Sequence, residues 1–194
     1  SGVKADGVLK VNPQSYQYAV VFKDQTGVKT ELFISRNTAS YEVQEGYILG
    51  EIAEATNGTA VVSADRKTVT VSGLTANSVV TFQTYQYQHQ VNWSVDGAAK
   101  TDYLQQTESG VNCVASMTSG DVAMGTVAYT LENGKVTATY TAPANTFITS
   151  YNSATENATT GDTENNYTTL VLKNIVQTSS DTPSAITVTL TQKA

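Results

Sequence analysis

The sequence predicts an all-β protein, an antiparallel β-sandwich with Greek-key connections, on three observations. The run from Ser78 to Val95 alternates throughout: Val79, Thr81, Gln83, Tyr85, Tyr87, His89, Val91, Trp93 and Val95 fall on one side. Phe82, Thr84, Gln86, Gln88, Gln90, Asn92 and Ser94 fall on the other, which is the two-residue period of a strand with an aromatic face inward and an amide face outward. Turn signals recur at intervals of roughly 8 to 12 residues and separate about a dozen such segments. The third observation is Asn133-Gly134, the strongest hairpin signal in the chain, because both central residues of a type I′ turn need positive φ.

The elements follow in order. Val3, Ala5, Gly7, Leu9 and Val11 alternate with Lys4, Asp6, Lys10 and Asn12, only Val8 breaking the rule, in a strand that Pro13 stops. Tyr16, Tyr18, Val20 and Phe22 lead through Asp24-Gln25-Thr26-Gly27 into Val28, Thr30, Leu32 and Ile34, a hairpin around a type I turn. Residues 41–55 carry Gly46 and Gly50 and read as a loop with a short helix at Glu51, Ile52 and Ala55. A second hairpin joins 60–63 to 67–72 around Ala64-Asp65-Arg66.

The long alternating run would exceed about 50 Å if straight, so a bend near Gln83 is expected. Residues 96–110 read as a loop carrying Tyr103 and Leu104, with strands resuming at 111–117 and 122–131. A two-residue loop at Asn133-Gly134 pairs Glu132 with Lys135, Leu131 with Val136, Tyr129 with Ala138 and Val127 with Tyr140, matching apolar to apolar and charge to opposite charge. Pro143 ends that hairpin, the polar run 149–166 reads as an exposed loop, and strands are expected over 168–176 and around Ile186, Val188 and Leu190. Residues 1–12 thus form an N-terminal strand and 13–194 one sandwich domain. Two small sandwiches meeting near 97–110 are the alternative.

Composition narrows the function. Net charge is -6 with 14% charged residues, and no Lys or Arg cluster exists, so nucleic acid is not an expected partner. No apolar run reaches the length of a membrane span. One cysteine excludes an internal disulfide, and one histidine argues against a zinc site, so no metal, cofactor or catalytic residue is expected. Cys113, between Val111 and Val114, reads as a small buried apolar side chain rather than a reactive thiol. The chain opens at Ser1 rather than Met, as a mature chain would after loss of a signal peptide, or as a trimmed one would.

Each chemical candidate has a plainer reading beside it. Glu42, Glu45, Glu51 and Glu54 lack anything that would fix two carboxylates across a cleft, and they read as solvated charges. His89 has no nucleophile partner in any motif and reads as a core or edge histidine. Glu156, Asp162 and Glu164 match no calcium-loop spacing. Tyr85, Tyr87 and Trp93, on one face, would form a platform for a sugar ring, or else fill the core. Asn57, Asn92, Asn157 and Asn166 head N-glycosylation acceptor triplets, although thirteen asparagines in a chain this rich in Ser and Thr give about three such triplets by chance.

Two resemblances add to this. The phrase Thr68-Val69-Thr70-Val71-Ser72-Gly73-Leu74 resembles the inter-sheet corner of fibronectin type III and immunoglobulin-like domains, with Val80 standing where the corner tyrosine would fall. The N-terminal alternation Val3, Ala5, Gly7, Leu9, Val11 resembles the donor strand of chaperone-usher pilins, and the chain is similar to archaeal thread-type pilins in being β-rich without a type IV helix. The single cysteine departs from the chaperone-usher pattern, which includes a disulfide. The resemblance implies a structural subunit of an extracellular filament or cell-surface assembly, a head-to-tail homopolymer whose N-terminal strand completes a neighbour, with surface glycans as further partners. A monomeric adhesin or carbohydrate-binding sandwich, or a phage tail or decoration protein, is the alternative.

Overall fold

The computed structural model describes residues 15–118, 125–153, 158–160, 167–177 and 182–193. Among them are sixteen strands and no helix. The chain divides into two compact units, 1–42 with 51–63 and 68–83, and 43–50 with 64–67 and 84–194. The segment 97–110 lies wholly inside the second unit.

The first unit is built from β1 (Tyr18–Asp24), β2 (Gly27–Ile34), β3 (Thr38–Glu42), residues 51–55 of β4 (Tyr47–Ala55), β5 (Thr59–Val62), β6 (Thr68–Ser72) and residues 78–83 of β7 (Ser78–Gln86), while residues 47–50 and 84–86 of these strands count with the second unit. One sheet has the order β2-β1-β7-β4 and the other β3-β6-β5. They pack through stacked rings: Tyr41 of β3 lies 5.8 Å from Phe22 of β1 and 5.4 Å from Phe82 of β7. Val20, Val69, Val71 and Val80 are fully buried around them. β1 pairs with β2 antiparallel and with β7 parallel. The first hairpin turns where expected, with Asp24 accepting from the Thr26 backbone N–H and hydroxyl at 2.8 and 2.7 Å. Residues 41–55, expected as loop and helix, are instead the end of β3 and the whole of β4. Ile48 and Leu49 are fully buried there, and buried apolar side chains outweigh the punctuation by Gly46 and Gly50.

The second unit carries β8 (His89–Val95), β9 (Ala98–Thr107), β10 (Gly110–Thr118), β11 (Thr126–Glu132), β12 (Lys135–Thr141), β13 (Phe147–Ser153), β14 (Ala158–Thr160), β15 (Thr169–Ile175) and β16 (Ser184–Lys193). A five-stranded sheet, β10-β9-β8-β16-β13, accompanies a four-stranded sheet, β11-β12-β15-β14. The core between them holds Val91, Trp93, Leu104, Tyr140, Leu170 and Leu172, with Trp93 stacked on Tyr140 at 5.7 Å. The β11–β12 hairpin has the expected register, from Glu132 opposite Lys135 to Val127 opposite Tyr140. Asn133 and Gly134 have φ of 52° and 74°, as a type I′ turn requires.

Three sequence expectations are corrected. The run 78–95 is two strands, and the phase slips at their junction. Val80, Phe82 and Thr84 are buried before it, and Tyr87, His89, Val91 and Trp93 after it. Tyr85 and Gln86, both exposed at the end of β7, supply the extra step that reverses every inward position, and the two strands part at 87–88 rather than near Gln83. The expected loop 96–110 is mostly β9, in which Asp102, Tyr103 and Leu104 are all buried, a pattern that hides strand periodicity. Within 149–166, expected as loop, residues 149–153 belong to β13, which enters at the buried Ile148 and is held by β16, and 158–160 form β14.

Candidate functional site

The most developed polar arrangement lies inside the second unit and ties its two sheets together. Asp102 of β9 is 1% exposed. Its Oδ1 accepts from the Ser116 hydroxyl at 2.8 Å and lies 3.6 Å from Lys100 Nζ. Its Oδ2 accepts from the hydroxyl of Tyr129, which comes from β11 in the opposite sheet and itself accepts from Trp93 Nε1 at 3.0 Å. Burial first, then the adjacent Asp102 carboxylate, raises the Tyr129 pKa far above the ordinary phenol value, so the hydroxyl stays protonated and donates. The arrangement holds a buried charge with hydrogen bonds from both sheets.

A second arrangement surrounds the fully buried His89. Its Nδ1 lies 2.8 Å from the Ser184 hydroxyl and its Nε2 3.2 Å from Gln106 Oε1. Gln106 Nε2 donates to the Gly134 carbonyl at 3.2 Å, so the amide oxygen faces the imidazole; Nε2 of His89 then carries the proton, and Nδ1 accepts from Ser184. Burial holds the His89 pKa below its ordinary value, while the Gln106 hydrogen bond opposes that. The serine hydroxyl is buried along with the imidazole, so this is a core histidine, as the sequence suggests, and not a nucleophile exposed to substrate.

Next to Gln106 opens a groove of about 690 Å³ at one end of the second unit's sandwich. Four connections meet there. Gln88 comes from the β7–β8 break, Gln106 and Thr107 end β9, and Glu108 opens the β9–β10 turn. The β11–β12 hairpin supplies Leu131 and Gly134, and the chain leaving β15 supplies Val176 and Gln177. Loop clusters at the ends of sandwiches are where such folds carry binding residues. Sequence reasoning did not single out this groove, since its residues span 88 to 177 with no motif among them.

The residues chosen from the sequence are scattered. Tyr85 is 38% exposed, but Tyr87 and Trp93 are 6% and 2% exposed, so the phase slip leaves the three without a shared face. Tyr87 instead packs edge-on against Tyr103 at 4.8 Å, beneath Lys67 Nζ, which lies 4.6 Å from its ring and donates to its hydroxyl at 3.0 Å. Burial lowers the Lys67 pKa. Asn57 has a left-handed φ of 53°, and its Nδ2, the atom a glycan would use, donates to the Asn77 carbonyl at 2.7 Å. Asn92 sits in the centre of a sheet, its Oδ1 accepting from Gln90 and Thr101, each at 3.0 Å. Asn157, Asn166 and the anchors Val3, Ala5, Gly7, Leu9 and Val11 lie outside the described residues, as do Glu156, Asp162 and Glu164.

Glu42, Glu45 and Glu54 are exposed. Cys113 is exposed rather than buried, which corrects the sequence expectation: Val111 and Val114 beside it are themselves only half-buried. Its sulfur still lies 3.4 Å from the Ala115 carbonyl, and local burial, followed by the Asp102 charge, pushes the thiol pKa up and away from reactivity. Among the described residues no group of three or more His, Cys, Asp or Glu could hold a metal, and no helix is long and apolar enough to cross a membrane. Comparison with protein-family models, with curated proteins and with solved structures finds no match to this chain.

Proposed function

We propose that the chain is a structural subunit of an extracellular filament or surface assembly, and that it polymerises by donating residues 1–12 to a neighbouring subunit. The observation that carries this reading is the alternation of Val3, Ala5, Gly7, Leu9 and Val11. The first unit supports it with a receptive edge. Among the described residues β2 ends its sheet and pairs only with β1. Val28 and Phe33 on β2 are exposed, and Phe33 packs against the exposed Tyr16 at 4.6 Å.

A long edge strand with apolar side chains invites pairing with another chain. A donated strand would add a ladder of backbone hydrogen bonds and place its apolar residues in alternate positions. Contact of this kind is head-to-tail and open, so it propagates as a fibre rather than closing as a ring. Low charge and abundant neutral polar side chains suit an extracellular surface.

Negative-stain microscopy and sedimentation of the intact chain, beside one lacking residues 1–12, test the proposal. Fibres or SDS-resistant ladders from the intact chain, with a folded monomer from the shortened one, are expected. A shortened chain that unfolds, while the intact one stays monomeric, would assign the segment to its own subunit and remove the proposal.

A further inference from the structure

We infer that the groove at the end of the second unit's sandwich binds a neutral saccharide, a function that does not depend on how the chain assembles. Its volume of about 690 Å³ lies within the range of small-ligand sites and accommodates a disaccharide. Among the described residues lining it there is no Lys or Arg, and Glu108 supplies the one formal charge, so an anion would gain nothing there. Gln88, Gln106 and Gln177 supply amides, groups that donate and accept together as a sugar hydroxyl does, and the Thr107 hydroxyl, which donates to the Gly110 carbonyl at 3.2 Å, adds an acceptor. Val176, 52% exposed, and the half-buried Leu131 add an apolar surface of the size of one C–H face of a sugar ring.

The polar wall is also held in place before any ligand arrives. Gln106 is fixed at both ends of its amide, by His89 at 3.2 Å and by the Gly134 carbonyl at 3.2 Å. Its backbone N–H donates to Gln88 Oε1 at 3.0 Å, which orients the Gln88 amide and leaves the NH2 end of that group for a ligand. The buried histidine therefore acts as a positioning residue for the Gln106 amide, and the β9 backbone at Gln106 orients Gln88 independently. Ordering a flexible amide on binding costs conformational entropy, and this arrangement has already lost that freedom in folding. An extended peptide would need a main-chain ladder or a deep apolar pocket, and the groove is walled by side chains and two tight turns instead.

The test is an amide NMR titration of the full chain with cellobiose, maltose, lactose and N,N′-diacetylchitobiose, each to about 10 mM, ten times the dissociation constant of roughly 1 mM that suits a shallow site. Glucuronic acid serves as an anionic comparison. At least one neutral sugar should shift the amides of Gln88, Gln106, Gly134 and Val176 together. Gln88→Ala and Val176→Asp should each weaken that sugar about tenfold or more, while Val61→Ser, at an exposed position on β5, leaves its binding unchanged. The inference is overturned if no neutral sugar moves those amides, if the shifts survive both groove variants, or if glucuronic acid binds more tightly than every neutral sugar.

Discussion

Removing one oxygen atom, in Tyr129→Phe, tests whether the polar tie between the sheets of the second unit stabilises the fold. The hydroxyl accepts from Trp93 Nε1 and donates to Asp102, a carboxylate 1% exposed. Its loss removes a hydrogen bond to a charged group, about 1.5–3 kcal/mol, and leaves a buried indole N–H without its acceptor, about 1–3 kcal/mol more. Asp102 keeps Ser116 at 2.8 Å and Lys100 at 3.6 Å, so its charge is not orphaned, which holds the total to about 3 kcal/mol. For a chain of this size that corresponds to a fall in Tm of about 6–12 °C. Trp93 is the chain's one tryptophan and lies in the same core, so urea unfolding followed by its fluorescence reports the unit concerned. The double variant with Asp102→Asn should be clearly non-additive. A loss below about 1 kcal/mol, or additivity within about 0.5 kcal/mol, would show that the contacts are present without being coupled.

Two further outcomes follow from the same unit. Burial holds the His89 pKa below its ordinary value, so the unfolded chain takes up a proton below about pH 6.5 while the folded imidazole stays neutral. Stability is therefore full above that pH and declines as pH falls through it, and the urea midpoint should drop less between about pH 7.5 and 5.5 in His89→Gln than in the unmodified chain; equal drops would contradict this. Gly134 has φ of 74° in the type I′ turn, so Gly134→Ala should cost about 1–2 kcal/mol by urea unfolding, and an unchanged midpoint would mean the turn relaxes at little cost.

What the sequence revealed, and what it hid, divides along one physical line. Hairpins were legible wherever a short turn carried its own chemistry: Asp24 caps Thr26, and Asn133-Gly134 takes the two positive φ angles, so register followed without tertiary information. The run 78–95 was legible as strand but not in its facing, because alternation says nothing about a phase slip at 85–86 that leaves the pattern of residue types intact on both sides. β9 was not legible at all. Its inward positions include Asp102, and a carboxylate becomes a core residue only because Tyr129, twenty-seven residues further on, reaches it from the opposite sheet.

The same reasoning explains why the groove was invisible while the aromatic platform looked plausible. Aromatic side chains on one strand advertise themselves at a fixed period, but a sandwich with more inward positions than aliphatic residues uses them to fill its core, as Trp93 does against Tyr140. Groove residues carry no such period, because they come from four separate connections and the fold alone brings them together. Gln106 gains a defined orientation only through His89 and Gly134, seventeen and twenty-eight residues away in sequence. A glutamine on an isolated strand is a solvated side chain; held at both ends of its amide beside an apolar ledge, it becomes part of a recognition surface. The lone histidine thus acquires its importance through the amide it orients rather than through any chemistry of its own.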